Sequence, residues 1–218
     1  YQINDQGVVL SRQGINLGTT PVFWKNGQVT YGPSGFLGLA INNSGTVAGQ
    51  TTSNFPPSGS VGLLTNGQVT VIGPAPLIGS MPVSDINSNG WVTGTRTLAG
   101  LDTAFVNTGS ATINLSPIAG LPSYARGVND QGQVVGSIYA NNQGFVWRDA
   151  NNNNQAETSE FILLPAMNGI GASTATGINN SGQVVGVGYA NLPGQFNHAF
   201  RWTDLNNNQI AEVSEVKD

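Results

Sequence analysis

One phrase recurs five times along the chain and constrains its fold more than any other feature. Each copy consists of an aliphatic residue, Asn, two polar residues, Gly, a variable residue and Val, and the copies begin at Ile3, Ile41, Ile86, Val128 and Ile178. The Gly can take the positive φ that closes a short loop, and the Asn side chain can hydrogen-bond the turn backbone. Each copy therefore predicts a β-hairpin.

A second apolar element, rich in Phe and Trp, lies between successive copies and predicts a second hairpin in each repeat. In the first two repeats it is followed by Asn26-Gly27 and Asn66-Gly67, a dipeptide that favours type I′ turns. The fourth and fifth repeats carry a longer loop in the same place. We expect the short and long loops to occupy the same hairpin of successive repeats, so that each repeat holds four strands.

The spacing of the repeats predicts an all-β fold, a five-bladed β-propeller with four antiparallel strands per blade. Repeats of about 40 residues are typical of propeller blades, in which radial stacking covers the faces that one small sheet leaves exposed. A β-sandwich or a linear β-solenoid built from the same hairpins is the alternative. We expect a single domain over residues 1–218, with blades at approximately 1–38, 39–83, 84–125, 126–175 and 176–218.

Two motifs of the last repeat carry a resemblance to a known family. The segments His198-Ala199-Phe200-Arg201-Trp202 and GINNSGQVVG, at positions 177–186, resemble the extracellular repeat family named for its His-Ala-Phe (HAF) triplet. The resemblance extends over the whole chain as five degenerate copies, of which only the last keeps the full triplet. It implies propeller-like repeats and a secreted or surface location, and it carries no implication of an activity.

Composition narrows the classes of function. Because the chain has no Cys, it can form neither disulfides nor zinc–thiolate sites. A formal charge of −4 gives no basis for nucleic-acid binding, and no apolar run is long enough for membrane insertion. Few charged residues and many Asn, Gly, Ser and Thr are common in exported bacterial proteins, so we expect an extracellular or cell-surface protein.

Two twelve-residue loops, 149–160 and 204–215, predict two calcium sites. Oxygen-bearing side chains fall at loop positions 1, 3, 5, 9 and 12, and position 7 would offer a backbone carbonyl, which is the ligand spacing of an EF-hand loop. Strand-like flanks place these loops at hairpin tips. The predicted ligands are Asp149, Asn151, Asn153, Gln155, Glu157 and Glu160 in the first loop, and Asp204, Asn206, Asn208, Ile210, Glu212 and Glu215 in the second.

The distribution of acidic residues supports this prediction. All four Glu of the chain lie at loop positions 9 and 12, whereas chance would scatter them. Position 6 holds Asn154 or Gln209 in place of the Gly that usually makes the sharp turn, so we expect weak affinity, on the order of 10⁻⁴ to 10⁻³ M. The alternative is a metal-free, Asn-rich turn that hydrogen-bonds to itself.

Little else in the sequence supports chemistry, so we predict that the protein is not an enzyme. His198 is the only His, and we expect it to be a structural residue at the start of a strand. Trp24, Trp147 and Trp202 share one repeat position and are predicted to pack between blades, whereas Trp91 is the expected exposed Trp. Aromatic residues in pockets between blades would instead suit a lectin.

The predicted function is a non-catalytic, calcium-binding scaffold of the cell surface or matrix. The alternative is a carbohydrate-binding propeller whose partners are extracellular glycans. Only three residues follow Glu215, so the final strand of the fifth repeat is predicted to be short. A short edge strand leaves backbone groups that another copy can pair or cover, and we therefore expect self-association as a homo-oligomer or an open filament.

Overall fold

The protein is all-β and its sheets are predominantly antiparallel, as the repeats predict. The computed structural model describes residues 1–13, 20–52, 59–73, 83–140, 142–165, 172–189, 197–206 and 208–217. Within these ranges the regular structure consists of β-strands and two single turns of 3₁₀ helix, Thr158–Glu160 and Val213–Glu215. No helix in these ranges is long and apolar enough to cross a membrane.

The strands form five consecutive units, each with four strands in chain order. Unit 1 contains β1 (Gln2–Ile3), β2 (Val9–Gln13), β3 (Thr20–Lys25) and β4 (Gln28–Tyr31), and unit 2 contains β5 (Phe36–Ile41), β6 (Val47–Thr51), β7 (Val61–Thr65) and β8 (Gln68–Gly73). Unit 3 contains β9 (Asp85–Ile86), β10 (Val92–Leu98), β11 (Leu101–Asn107) and β12 (Thr112–Leu115). Unit 4 contains β13 (Ser123–Val128), β14 (Val134–Ile138), β15 (Gln143–Trp147) and β16 (Phe161–Leu163), and unit 5 contains β17 (Ala172–Ile178), β18 (Val184–Tyr189), β19 (His198–Trp202) and β20 (Val216–Lys217).

Strand register confirms that the repeats are structurally equivalent. The first residue of the second strand pairs with the same Trp position in three units, as Val9 with Trp24, Val134 with Trp147 and Val184 with Trp202. The turns Asn26-Gly27 and Asn66-Gly67 join the third strand to the fourth, and both twelve-residue loops do the same in units 4 and 5. Short and long loops therefore occupy one hairpin position, as predicted.

The hydrophobic core is divided among the interfaces between consecutive units. Leu10 of unit 1 packs with Phe36 of unit 2, and equivalent buried clusters join units 2 and 3, units 3 and 4, and units 4 and 5. A single parallel pair, Gln143 with Ser173, also connects units 4 and 5, so that their strands form one eight-stranded sheet. Each unit covers one face of its neighbour, as in repeat proteins whose units cannot bury their faces alone.

The predicted closure of the five repeats into a ring is wrong. Strand contacts run from each unit to the next, and among the described residues no comparable set joins unit 5 to unit 1. The outer faces of both end units are accordingly exposed: Trp24 is 47% exposed in unit 1 and Val185 is 47% exposed in unit 5. A ring closes only when the rotations between units sum to a full turn. The repeat period contains no information about that rotation.

A ladder of Asn side chains links the units along one edge. The Asn of each repeated turn donates from Nδ2 to the main-chain oxygen of the equivalent Asn in the next unit, at 2.9 to 3.1 Å. Its Oδ1 accepts a backbone N–H within its own turn. The four donors are buried and belong to units 1 to 4: Asn4, Asn42, Asn87 and Asn129.

The fifth Asn is a natural control for the ladder. Asn179 keeps the turn hydrogen bond, but it is exposed and its Nδ2 donates to the side chain of Gln183 in its own unit.

We expect Asn87→Asp to lower the free energy of unfolding by about 2 kcal/mol, because the substitution keeps the turn acceptor but places a buried carboxylate against the Asn129 carbonyl. Asn179→Asp should change it by less than about 0.5 kcal/mol. Urea unfolding of both variants measures the difference, and equal losses would contradict a role for the ladder.

Candidate functional site: two acidic loops and the grooves beside them

The two twelve-residue loops are close structural copies. Loop 1 (149–160) joins β15 to β16 and loop 2 (204–215) joins β19 to β20, and each ends in a single turn of 3₁₀ helix. In both turns the Glu at position 9 and the Glu at position 12 form a reciprocal capping box. Equivalent sequences therefore give equivalent local structure at the same hairpin of two units.

Side-chain oxygens at positions 1, 3 and 5 accept hydrogen bonds from the loop backbone. In loop 1, the carboxylate of Asp149 accepts from the backbone N–H groups of Asn153 and Asn154 at 3.1 and 2.9 Å. Asn151 accepts from Asn153, and Asn153 accepts from Gln155, at 2.9 and 2.8 Å. Loop 2 repeats the contacts of positions 3 and 5 through Asn206 and Asn208. These Asx turns curl the backbone around the oxygens at alternate positions.

Position 6 has the turn conformation without the Gly that usually provides it. Asn154 and Gln209 both lie in the left-handed region, with φ of 59°. Asn tolerates this conformation, whereas for Gln it is uncommon. The backbone N–H of Gln209 donates to Oδ2 of Asp204 at 3.1 Å, so the carboxylate at position 1 stabilises the strained residue. The departure from Gly at this position does not prevent a turn with positive φ.

The Glu at position 9 accepts hydrogen bonds from the side-chain amides of positions 3 and 5. Glu157 accepts from the Nδ2 atoms of Asn151 and Asn153 at 2.8 and 2.9 Å. In loop 2 the corresponding contacts of Glu212 are longer, at 3.2 and 3.4 Å. Hydrogen bonds within the loop thus bring together the predicted ligands at positions 1, 3, 5 and 9.

The Glu at position 12 has a role that the EF-hand pattern did not indicate. Glu160 is buried and accepts from the indole N–H of Trp147 at 3.3 Å, and from the amides of Ala150 and Glu157. Glu215 makes the same three contacts in loop 2, the indole donor being Trp202 at 3.2 Å. Each Glu therefore fixes the beginning of its loop to the last residue of the third strand. The identical Trp-to-Glu spacing in the two repeats is the sequence signal that could have revealed this pair.

The hydrogen bonds to Glu215 also affect its ionisation. Burial alone would raise the pKa of Glu215, but backbone hydrogen bonds from Glu212, Leu205 and Asn206, together with the Trp202 indole, outweigh burial. They hold the pKa of the carboxyl below its usual value of 4.5. The folded state therefore favours the ionised form of this buried acid.

One carboxylate oxygen of loop 2 lacks a partner. Oδ1 of Asp204, at position 1, is buried and accepts no hydrogen bond from the described residues. Its counterpart in loop 1, Oδ1 of Asp149, accepts the Asn153 amide. Among the described residues, no three acidic or His side chains converge as a metal cluster, and the position-12 Glu accept hydrogen bonds from the Trp indoles. Ligands for a cation would therefore include amide and backbone oxygens as well as carboxylates.

Two grooves open beside the loops, each between consecutive units. The larger cavity, of about 380 Å³, lies between units 4 and 5 and is lined by Gln133, Arg148 and Asp204. The smaller, of about 270 Å³, lies between units 3 and 4 and is lined by Trp91 and Asp149. Sequence reasoning placed pockets between blades only as part of the lectin alternative, and it did not connect them with the acidic loops.

The remaining predicted residues divide between core and surface. Trp147 and Trp202 are buried between units as expected, but their indole N–H groups are bound by Glu. Two of these predictions are wrong. Trp24, predicted to pack between blades, is exposed because no described residues of another unit pack on the outer face of unit 1. Trp91, the expected exposed Trp, is partly buried against the core between units 3 and 4. His198 begins β19, as predicted, and pairs with Gly188.

Acidification should destabilise the protein in part through Glu215. Because its folded pKa lies below 4.5, its contribution to the free energy of unfolding is present above that pH and is lost as the pH falls through the folded pKa. We expect Glu215→Gln to be less stable than wild type at pH 7 and to lose less stability on acidification. Urea unfolding in chelator between pH 7 and pH 3 measures both slopes, and parallel curves would contradict the assignment.

Comparison with known proteins adds no family assignment. No protein-family model matches the chain, and a search of curated proteins finds no match. The resemblance to the His-Ala-Phe repeats therefore stays a prediction carried by motifs such as 198–202. The function has to be inferred from the loops, the grooves and the outer faces of the array.

Proposed function

We propose that the protein is a non-catalytic, extracellular scaffold whose last two units are ordered by calcium. The observation that carries the proposal is the buried, unpaired Oδ1 of Asp204 at the first ligand position of loop 2. A buried carboxylate oxygen without a hydrogen bond is costly, and a bound cation would offset that cost. The other predicted ligands of loop 2 are carboxylate, amide and backbone oxygen atoms, which suit Ca²⁺.

The two loops would hold calcium through the oxygens at positions 1, 3, 5, 7 and 9. Asn151 and Asn206 at position 3 would serve together with Asn153 and Asn208 at position 5, and Gln155 and Ile210 would contribute their carbonyls. The position-12 Glu, which the sequence pattern assigns as bidentate ligands, would instead support the loop from beneath through the Trp contacts. A calcium ion in such an oxygen cage supplies order rather than a reactive water.

An extracellular location fits this use of calcium. Loops with few carboxylates bind calcium weakly, on the order of 10⁻⁴ to 10⁻³ M, which is the range of extracellular calcium-binding modules. The low content of charged residues and the His-Ala-Phe-like motif of the fifth repeat agree with a secreted or surface protein. Loops that are ordered outside the cell would fold fully only after export.

The scaffold role rests on complementary outer faces. In the ladder, Asn42 O accepts both Gly45 of its own turn and Asn4 of the preceding unit. Asn4 O accepts only Gly7 among the described residues, while the exposed Asn179 has no next-unit acceptor. Unit 1 therefore offers the acceptor, and unit 5 the donor, of one further ladder bond. A second copy of the chain would continue the array by placing its unit 1 on unit 5 of the first.

The side chains of the two outer faces match as well. Val185 pairs with Arg201 on the outer face of unit 5, just as Val135 pairs with Val146 where unit 4 meets unit 5. At that internal interface the residue opposite is Trp202, whose equivalent on the outer face of unit 1 is Trp24. Stacking of two copies would set the Arg201 guanidinium against the Trp24 ring, a favourable cation–π pair. Strand register places three more exposed apolar residues on the same sheet face as Trp24: Ile3, Val29 and Tyr31.

Calcium should raise the melting temperature of the wild type. Relative to the wild type, Asp204→Asn should be less stable in calcium but not in chelator. At a hundredfold excess over Kd, each site adds about 2.7 kcal/mol to the free energy of unfolding. Asp204→Asn should abolish the contribution that calcium binding in loop 2 makes to the free energy of unfolding. In chelator it should leave stability unchanged or raised, because it removes the charge from the unpaired buried site.

Asp149→Asn is the matched variant in loop 1. Both oxygens of Asp149 accept backbone hydrogen bonds, so this substitution should lower stability in chelator as well as in calcium. Thermal melts in chelator and in 10 mM calcium compare the two variants. Identical wild-type melts in the two conditions would overturn the calcium proposal.

Self-association should depend on Trp24 and Arg201. A central aromatic residue of an interface commonly contributes about 2 kcal/mol or more, so Trp24→Ala should weaken association by about thirtyfold or more. Arg201→Ala should weaken it less, through loss of the cation–π pair. Sedimentation velocity over a concentration series in calcium measures the change. Tyr139→Ala, which alters a still more exposed aromatic residue of unit 4, is the control. A wild type that stays monomeric throughout would contradict head-to-tail assembly.

A further inference from the structure

The two grooves are built from equivalent positions of successive repeats. The first unit of each pair contributes two residues: the one that follows the Gly of its repeated turn and the one that follows its third strand. The second unit contributes the residue that precedes the Gly of its repeated turn and the first residue of its acidic loop. In the groove between units 3 and 4 these residues are Trp91, Thr108, Gln131 and Asp149. In the groove between units 4 and 5 they are Gln133, Arg148, Ser181 and Asp204. A groove is therefore a property of the interface between units.

The chemistry of the lining is that of a polar, uncharged ligand. Amides and hydroxyls predominate in the smaller groove, and the larger one combines them with apolar side chains. Each groove contains the carboxylate at the first position of an acidic loop and the guanidinium of Arg148, and the larger one adds Glu160. Trp91 supplies an aromatic surface, and its position depends on Gly132: a Cβ there would come within 2.8 Å of Cζ3 of the indole. A few polar groups beside an aromatic surface are typical of sites that orient a hydroxyl-rich ring.

The grooves adjoin one another. Gln131 and Arg148 line both cavities, so the same two side chains form the boundary between them. Arg148 is exposed, and its guanidinium makes no hydrogen bond or ion pair with other described residues. The cavities, of about 380 and 270 Å³, lie near the lower end of the volumes of ligand sites. We call the two adjoining cavities, which extend from unit 3 to unit 5, the track.

We propose that this track, Trp91 to Asp204, binds a neutral polysaccharide, with successive sugar residues in successive grooves. The shared boundary favours a chain-shaped ligand over a single small molecule. Arg148 is the only cationic side chain that lines the grooves, against the carboxylates of Asp149, Asp204 and Glu160, so the lining side chains provide no net positive charge that would favour an acidic polymer. The proposal is independent of self-association, and it involves the calcium proposal only because the acidic loops form one wall of each groove.

Binding of defined oligosaccharides to the full chain tests the proposal. The probes are hexasaccharides and disaccharides of β-1,4-glucan, β-1,4-xylan and α-1,4-glucan, with a galacturonate hexamer as the acidic counterpart, titrated calorimetrically in 10 mM calcium. We expect at least one neutral hexasaccharide to bind, and to bind more tightly than its disaccharide. The proposal is overturned if no neutral hexasaccharide binds at millimolar concentration, if only the acidic hexamer binds, or if the disaccharide binds as tightly as the hexasaccharide.

Three variants assign the binding to the track. Trp91→Ala should weaken binding of the hexasaccharide about tenfold, and Trp91→Phe should retain most of it. Arg148→Ala changes an exposed side chain without described contacts, so it should fold normally and still weaken binding. Trp24→Ala is the matched control, since its Trp lies on the outer face of unit 1: it should leave sugar binding unchanged. Unchanged binding in both Trp91→Ala and Arg148→Ala would overturn the proposal.

The same variants keep this proposal distinct from the scaffold role. Trp24→Ala should reduce self-association without affecting sugar binding, whereas Arg148→Ala should do the reverse. Loss of self-association in wild-type protein that still binds the hexasaccharide would contradict only the scaffold role. Absence of sugar binding in wild-type protein that still associates and responds to calcium would contradict only the track.

Discussion

The hydrogen bond from one repeated Asn to the main chain of the next is the interaction on which the array depends. A buried amide must satisfy both its donor and its acceptor, and Asn87 does so by accepting from Trp91 in its own turn and donating to Asn129 of the following unit. One side chain thus sets both the local turn and the position of the neighbouring unit. Because the bond repeats at every interface, equivalent loops and grooves align along the array, and the sheet faces cover one another in chain order.

The acidic loops add charge to a structure that otherwise contains little of it. All four Glu and two Asp lie in the loops, yet the position-12 Glu are committed to Trp147 and Trp202. The upper part of each loop is then left with carboxylates that hydrogen-bond only to their own loop or, at Oδ1 of Asp204, to no described residue. This arrangement explains how a metal could order the loops without being required for the strands beneath them. It also places the proposed calcium directly beside the walls of the grooves.

Much of the local structure could be predicted from sequence because it repeats at a fixed period. The hairpins, the shared position of Trp24, Trp147 and Trp202, and the equivalence of short and long loops all follow from turn residues and strand alternation. The open arrangement of the five units could not be predicted from the repeats, because the rotation between units is set by packing across each interface. The role of Glu160 differs from the EF-hand pattern because a strand ending in Trp147 lies beneath the loop, where an EF-hand has a helix. The grooves were missed as a feature of the acidic loops because their walls come from residues of different units.

Crystallography in calcium would test the central claim, that these loops are cation sites, most directly. Crystals of the wild-type chain grown in millimolar calcium, with data collected at a long wavelength, would reveal bound ions through anomalous scattering. We predict one ion in each loop, with Oδ1 of Asp204 among the ligands of the second and Glu215 still accepting from the Trp202 indole. Loops without an anomalous peak, and with Oδ1 of Asp204 hydrogen-bonded to water or backbone, would contradict it.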